Sequence, residues 1–466
     1  MKKYLLFLLI PLLFVACQKE EDNNSLEPEY KILKYEESGS IFCSYTYPTI
    51  DENGKPVTLS SALAAWLPAE SDSASAIRSV IIGCHITIAS DAECPSMLTS
   101  SSAITDSRCM YAIPASATIP ELRQSIVIMP DYQGYGISKH LIHPYMSQEL
   151  TARQVADAVI YGLKLYKDLE NSLPFTQDWK SFCLGFSQGG AVALATQRYI
   201  EQNSLDDELH FAGSFCGDGP YDLIETLRYY VLDDGNSDGV QTTHAKGITS
   251  MPVVLPLLVK GMLDSNPGMK EHVISDYFSK QMLDTGIMEW LDGKEKSTND
   301  IAHDLYNMCE NGLTAKDGTY YTPEQMQSLF PDHSKTTSLL MTTFDVNADL
   351  SKMLNEELFE YLSDPSVYRD GRRFTGNRFD DLMASLESNS IIKGWEPSHR
   401  IILLHSKYDT VVPYSNLVSF TDNHPDAEIN VRSYGTKDHQ QTGTNFFLAL
   451  LNTTFSADLT WLFAEK

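Results

Sequence analysis

Apolar residues follow two alternating rhythms along most of this chain. "SVIIGCHITIA" and "SIVIMPDYQGYG" each open with a continuous β-branched run and end in polar or glycine residues, as strands buried on both faces do when they feed loops. "TARQVADAVIYGLKLYKDL" instead repeats apolar side chains at helical spacing, at Val155, Val159, Leu163 and Leu165. The strand "SFCLGF", the small-residue helix "QGGAVALATQRYIEQ" and the strand "FAGSFCGDG" come next in turn. Ahead of them all, "DENGKPVTLSSALAAWLP" sets Asn53-Gly54 between two extended runs, which predicts a hairpin. The alternation predicts an α/β fold with a mostly parallel sheet and helices on both faces.

From about residue 223 to 394 the rhythm is helical throughout, as in "MPVVLPLLVKGML" and "LSKMLNEELFEYL". This stretch is expected to be a large helical cap over one end of the sheet. "RIILLHSKYD" and "EINVRSY" then resume the strands, so that residues 31–222 and 395–466 make up the core. Within the cap, "DGNSDG" (Asp234 to Gly239) imitates the first half of a calcium loop, but Ala245 stands where such a loop needs a bidentate Glu, and a solvated turn is the reading kept. No metal is expected.

The N-terminus changes the picture. "MKKYLLFLLIPLLFVAC" has two lysines, an apolar run and a small residue before Cys17, the layout of an export signal over residues 1–17. Its apolar run falls short of the roughly 20 residues that a membrane-spanning helix needs. "FVAC" resembles the lipobox of bacterial lipoproteins, which implies a lipidated Cys17; an ordinary cleaved signal is the alternative. "QKEEDNNSLEPEY" follows as a polar tether over residues 18–30. Its acidic cluster resembles a surface-export signal, which implies an outer-membrane lipoprotein exposed at the cell surface, with a periplasm-facing protein as the alternative. The membrane is then met only through the lipid anchor.

Charge excludes one class of partner. The 466 residues carry 35 basic and 62 acidic side chains, a formal charge of −27, which repels a phosphate backbone, so no nucleic acid is expected. There are eight cysteines, and a lipidated Cys17 leaves an odd number. Cys84, Cys183 and Cys216 lie in apolar runs and are expected to be buried thiols, whereas Cys94 and Cys109 flank a polar loop and are the pair expected to form a disulfide.

"GFSQGG" carries the chemistry. It sets Ser187 in a G-x-S-x-G pattern at the end of a buried strand and the start of a small-residue helix, the setting of a nucleophile elbow. The backbone N–H of Gln188 then lies at a helix N-terminus, aimed where an oxyanion would develop. A serine nucleophile needs a base, and the base needs an orienting carboxylate. Asp409 in "HSKYDTVVP" and His439 in "GTKDHQQ" both follow strands, in the chain order Ser, Asp, His. His405, inside its strand, is read as structural, and Asp438 as badly placed to orient its own neighbour.

With GFSQGG, the HSKYDTVVP loop and the terminal KDH in place, the chain resembles the α/β-hydrolase family over about residues 45–222 and 390–466. The secreted lipase and esterase branch is the nearest in pattern, with counterparts of "PDYQGYG" and of "HPY" (His143 to Tyr145). The resemblance implies an α/β-hydrolase fold and a second oxyanion donor after the third core strand. There the family has His-Gly and this chain has "CHIT", which aligns His85 and leaves Ile86 or Thr87 as the donor. Tyr132 either lines the pocket or packs its own loop. The expected activity is hydrolysis of a small-molecule carboxylic ester, with no cofactor. A peptidase or amidase on the same triad is the alternative, and a non-catalytic surface-binding lipoprotein a more distant one.

Overall fold

The computed structural model describes residues 30–37, 40–68, 75–98, 106–332 and 346–464, so the leader, Cys17 and the tether up to residue 29 lie outside the described residues. Nine strands form the central sheet: β1 (Lys31–Glu37), β2 (Ser40–Ile50), β3 (Pro56–Trp66), β4 (Ile77–Cys84), β5 (Ser125–Pro130), β6 (Phe175–Phe186), β7 (Phe211–Gly217), β8 (Arg400–His405) and β9 (Ile429–Ser433). They lie in the order β1-β2-β3-β5-β4-β6-β7-β8-β9. Pairs from β1 to β5 along that order are antiparallel, and all those from β5 to β9 are parallel. Asn53-Gly54 does sit in the β2–β3 turn, where Gly54 adopts φ 72° and Asp51 closes the loop by accepting from the N–H groups of Asn53 and Lys55.

The continuous apolar runs follow from burial on both faces. In β5, Ile126 and Ile128 point into one core while Val127 and Met129 point into the other; in β8, Ile401 and Leu403 alternate in the same way with Ile402 and Leu404. Helix α1 (Asp106–Ser116) packs on one face, and α2 (Gln148–Asp168) and α3 (Gln188–Gln202) on the other. The segment after β7 holds α4 (Leu223–Leu232) and α5 (Val254–Ser265), and its apolar side chains belong to the same cluster as α2 and α3. Helices α6 (His439–Leu450) and α7 (Ser456–Phe463) complete the face that carries α1. Among the described residues no helix is long and apolar enough to cross a membrane.

The disulfide expected between Cys94 and Cys109 is not formed. Both are free thiols: Cys94 is buried with Ile88 and Tyr135 in a small cluster of its own, whereas Cys109 packs from α1 against the large core that holds Met110 and Ile113. Flanking the same polar loop does not fix which cluster each thiol enters. Cys84, Cys183 and Cys216 are buried free thiols.

Candidate active site

Strands β6, β7, β8 and β9 run parallel, so the loops at their C-terminal ends gather at one edge. Ser187 follows β6 with φ 56° and ψ −126°, a conformation strained for any residue with a side chain. Its N–H is held by Gly217 O at 2.8 Å. The sharp turn requires glycine on either side: a Cβ on Gly185 would stand 2.1 Å from Gly189 O, and one on Gly189 would stand 2.1 Å from Cys84 O. Gly189→Ala must therefore push the start of α3 away from β4. A displacement near 1 Å at a reacting group costs about 10²-fold in rate, and overpacking costs about 1–3 kcal/mol. The variant is expected to show both losses in steady-state kinetics and thermal unfolding; wild-type values in both would contradict the close approach.

His439 opens α6 with its Nε2 2.9 Å from Ser187 Oγ and its Nδ1 2.5 Å from Asp409 Oδ2. Asp409 is fully buried in the loop after β8, and its Oδ1 accepts the N–H groups of Val411 and Val412, each at 2.8 Å. Burial alone would raise the Asp409 carboxyl, but the His439 imidazole beside it prevails and holds it below the usual carboxylate range. Asp438 faces elsewhere: it caps α6 by accepting from Gln441 N at 2.8 Å. His405 ends β8 fully buried, with Nε2 2.9 Å from Val412 O.

The oxyanion candidates separate by their partners. Gln188 N–H opens α3, where a helix has no internal acceptor to offer. Ile86 N–H is already committed, donating to Asp106 Oδ2 at 2.8 Å. Thr87 lines the cleft beside Ser187 and Gln188, with its hydroxyl 2.9 Å from Tyr145 OH. Neither His85 nor Tyr132 is among the lining residues. His85 is fully buried, its ring nitrogens facing Ile86 O and Asp131 O, and burial lowers its pKa. Tyr132 stacks on that ring at 3.9 Å and donates to His85 O at 3.3 Å. The two brace the strand end that presents Thr87.

Ser187 opens on a cleft of about 530 Å³, part of it open to solvent. Tyr145 and Met146 wall it from the core, Val411 and Val412 from the loop of Asp409, and Leu223, Leu227, Tyr230, Met251, Leu255 and Leu258 from the segment between β7 and β8. Among the described residues, none that lines the cleft carries a charge. That same segment grips the Asp409 loop at three points. Tyr230 OH donates to Val411 O, Ser250 Oγ donates to Thr410 O at 3.1 Å, and Asp238, in the "DGNSDG" turn, pairs with Lys407.

Sequence reasoning missed Asp218, which follows β7 and is fully buried beneath His439. The available signal was the acid in "FCGDG", placed at a strand's C-terminal end by the same criterion that singled out Asp409. Ligating atoms of Asp218, Asp409 and His439 lie within 4.8 Å of one another. A cation held by these atoms would have to break the hydrogen bond between His439 Nδ1 and Asp409 Oδ2.

No family model and no curated protein sequence matches this chain. Solved structures do. The rice cell wall degrading esterase LipA from Xanthomonas oryzae is similar with a TM-score of 0.60 at 18% identity, over 92% of this chain and 95% of that one. A Legionella pneumophila protein named as a candidate hydrolase is similar with a TM-score of 0.60 at 17% identity, over 94% of this chain and 99% of that one. Candida antarctica lipase A is similar with a TM-score of 0.51 at 14% identity, over 88% of this chain and 76% of that one. Together with the sheet order these likenesses identify the α/β-hydrolase fold.

Proposed function

We propose that the protein is a serine hydrolase that cleaves carboxylic esters bearing an apolar group. The observation that carries this reading is the hydrogen-bonded line from Ser187 through His439 to Asp409, opening on an uncharged apolar cleft. Ser187 Oγ attacks the ester carbon while His439 Nε2 takes its proton. Asp409 holds His439 with Nδ1 protonated, the tautomer that leaves Nε2 free to accept. Negative charge collecting on the carbonyl oxygen meets the N–H groups of Gln188 and Thr87, since that of Ile86 is occupied. His439 then protonates the departing alcohol, and water repeats the sequence to release the acid. The esterase and lipase among the similar folds add the support of likeness in architecture.

Ester is preferred to amide here because a peptidase that read a substrate's amine would present a carboxylate in the cleft, and the described residues that line it include none. The test is a fluorophosphonate probe, expected to label Ser187, with acetyl, butyryl and longer acyl esters assayed beside aminoacyl amides. Absence of labelling in a folded sample would remove the hydrolase reading; faster turnover of amides would turn it to the peptidase.

The place of action is a second part of the proposal, supported by the "FVAC" and "QKEEDNN" segments: an outer-membrane lipoprotein facing the cell exterior. Multiple acyl chains hold a domain at a membrane where one alone does so marginally, so Cys17→Ser is expected to release active enzyme into a soluble fraction. A variant that stays membrane-bound would refute the anchor. Wild-type protein that resists protease added to intact cells would refute surface exposure.

A further inference from the structure

Asp218 is a buried carboxyl with only half of its hydrogen bonding accounted for. Oδ1 accepts from Ser406 N at 2.9 Å, while Oδ2 is buried without a partner. An ionised carboxylate left in that state is unfavourable, and the neighbours make ionisation harder. Asp409 faces it as a second carboxylate, and His439 Nδ1 lies 3.9 Å from Oδ2 but is already bonded to Asp409. On the other side stand His405, whose Nε2 is 3.9 Å from Asp218 Oδ1 and whose own pKa burial lowers, and the fully buried Tyr221. No lysine or arginine is paired with it among the described residues. Burial first, and then the charge of Asp409, push the Asp218 carboxyl well above its ordinary range.

A neutral acid changes that account. Protonated on Oδ2, Asp218 becomes a donor, and the acceptor in reach is the Asp409 carboxylate. We propose that Asp218 is a positioning residue: its carboxylic acid donates to Asp409, fixing the carboxylate that fixes His439, and it becomes the acceptor for His439 Nδ1 when Asp409 is lost. The inference rests on the serine-hydrolase reading of the site. Its proton stays on the acid pair during turnover, and no covalent bond to Asp218 forms or breaks. Two carboxyls sharing one proton titrate as a pair, so the proton belongs to both side chains while residing on the one that lacks the imidazole.

Four variants and one spectroscopic measurement test this. Asp218→Asn keeps an acceptor for Ser406 N and a neutral donor for Asp409, so its kcat is expected within about threefold of wild type. Asp218→Ala removes the donor and is expected to lose kcat by about tenfold or more, with KM for a short ester little changed. Asp409→Asn is expected to retain activity that rises with pH as the remaining Asp218 ionises, and Asp409→Asn/Asp218→Asn to lose that rise and a further factor of about ten. Independently of activity, the infrared difference spectrum between wild type and Asp218→Asn near neutral pH is expected to contain the band of a protonated carboxylic acid. A spectrum without that band, an Asp218→Ala enzyme as fast as wild type, or a double variant equal to Asp409→Asn would each overturn the proposal. Wild-type protein that neither takes the fluorophosphonate nor cleaves esters would instead overturn the reading on which it rests.

Discussion

Ser187→Ala is expected to fold normally and to lose about 10³-fold or more in kcat, the scale on which removing a triad nucleophile is felt. Binding is expected to survive, because the apolar walls contributed by Leu223, Leu255 and Leu258 are untouched. Labelling by the fluorophosphonate should vanish together with turnover. The strain at this position supplies a second readout. Alanine has a Cβ and inherits the unfavourable backbone, whereas glycine adopts φ 56° freely. Ser187→Gly is therefore expected to be as inactive as Ser187→Ala but more stable by about 1 kcal/mol, and so to unfold at a higher temperature. Near-wild-type turnover in either variant would remove Ser187 from the mechanism; equal melting temperatures would remove the strain.

The second large effect is at Asp409. Replacing it by asparagine leaves the loop able to accept from Val411 and Val412 but takes the charge from behind His439 and permits the wrong tautomer, which in a triad with no stand-in costs about 10⁴-fold. With Asp218 Oδ2 3.9 Å from Nδ1, the loss is expected nearer 10³-fold. Asp438→Asn is the control: asparagine caps a helix as well as aspartate does, so kcat and stability are both expected to stay close to wild type. Should Asp438→Asn be the more damaging of the two, the orienting acid has been misidentified.

Much of this site was legible in the sequence because its logic is local. A strand ending in GFSQGG dictates an elbow, and the aspartate and histidine that follow later strands reach the same edge whenever the sheet is parallel. What escaped depends on contacts distant in sequence. Ile86 and Thr87 are equivalent as residues next to His85, and only the Asp106 carboxylate, brought in by α1, distinguishes their N–H groups. Tyr132 reads equally well as a pocket wall or as packing until its ring is found stacked on His85. Asp218 carried the same positional signal as Asp409 but follows a strand that precedes the long helical segment, and pattern alone does not say which strand becomes the neighbour of β8. The missing Cys94–Cys109 bond has the same origin, since sequence proximity to one loop does not fix which core each thiol enters.

The grip on the Asp409 loop from Tyr230, Ser250 and Asp238 bears on how such a protein is re-engineered. A segment that only roofed the cleft would be a module, exchangeable for another to obtain a new substrate range. Here the segment between β7 and β8 and the loop that holds Asp409 are tied together, two of the three contacts being hydroxyls bonded to backbone carbonyls within two residues of the acid. A chimaera carrying a foreign segment between β7 and β8 would keep Ser187, His439 and Asp409 and receive new walls. It would also lose the clamps, and its first defect would be slow chemistry on every substrate rather than altered choice among them.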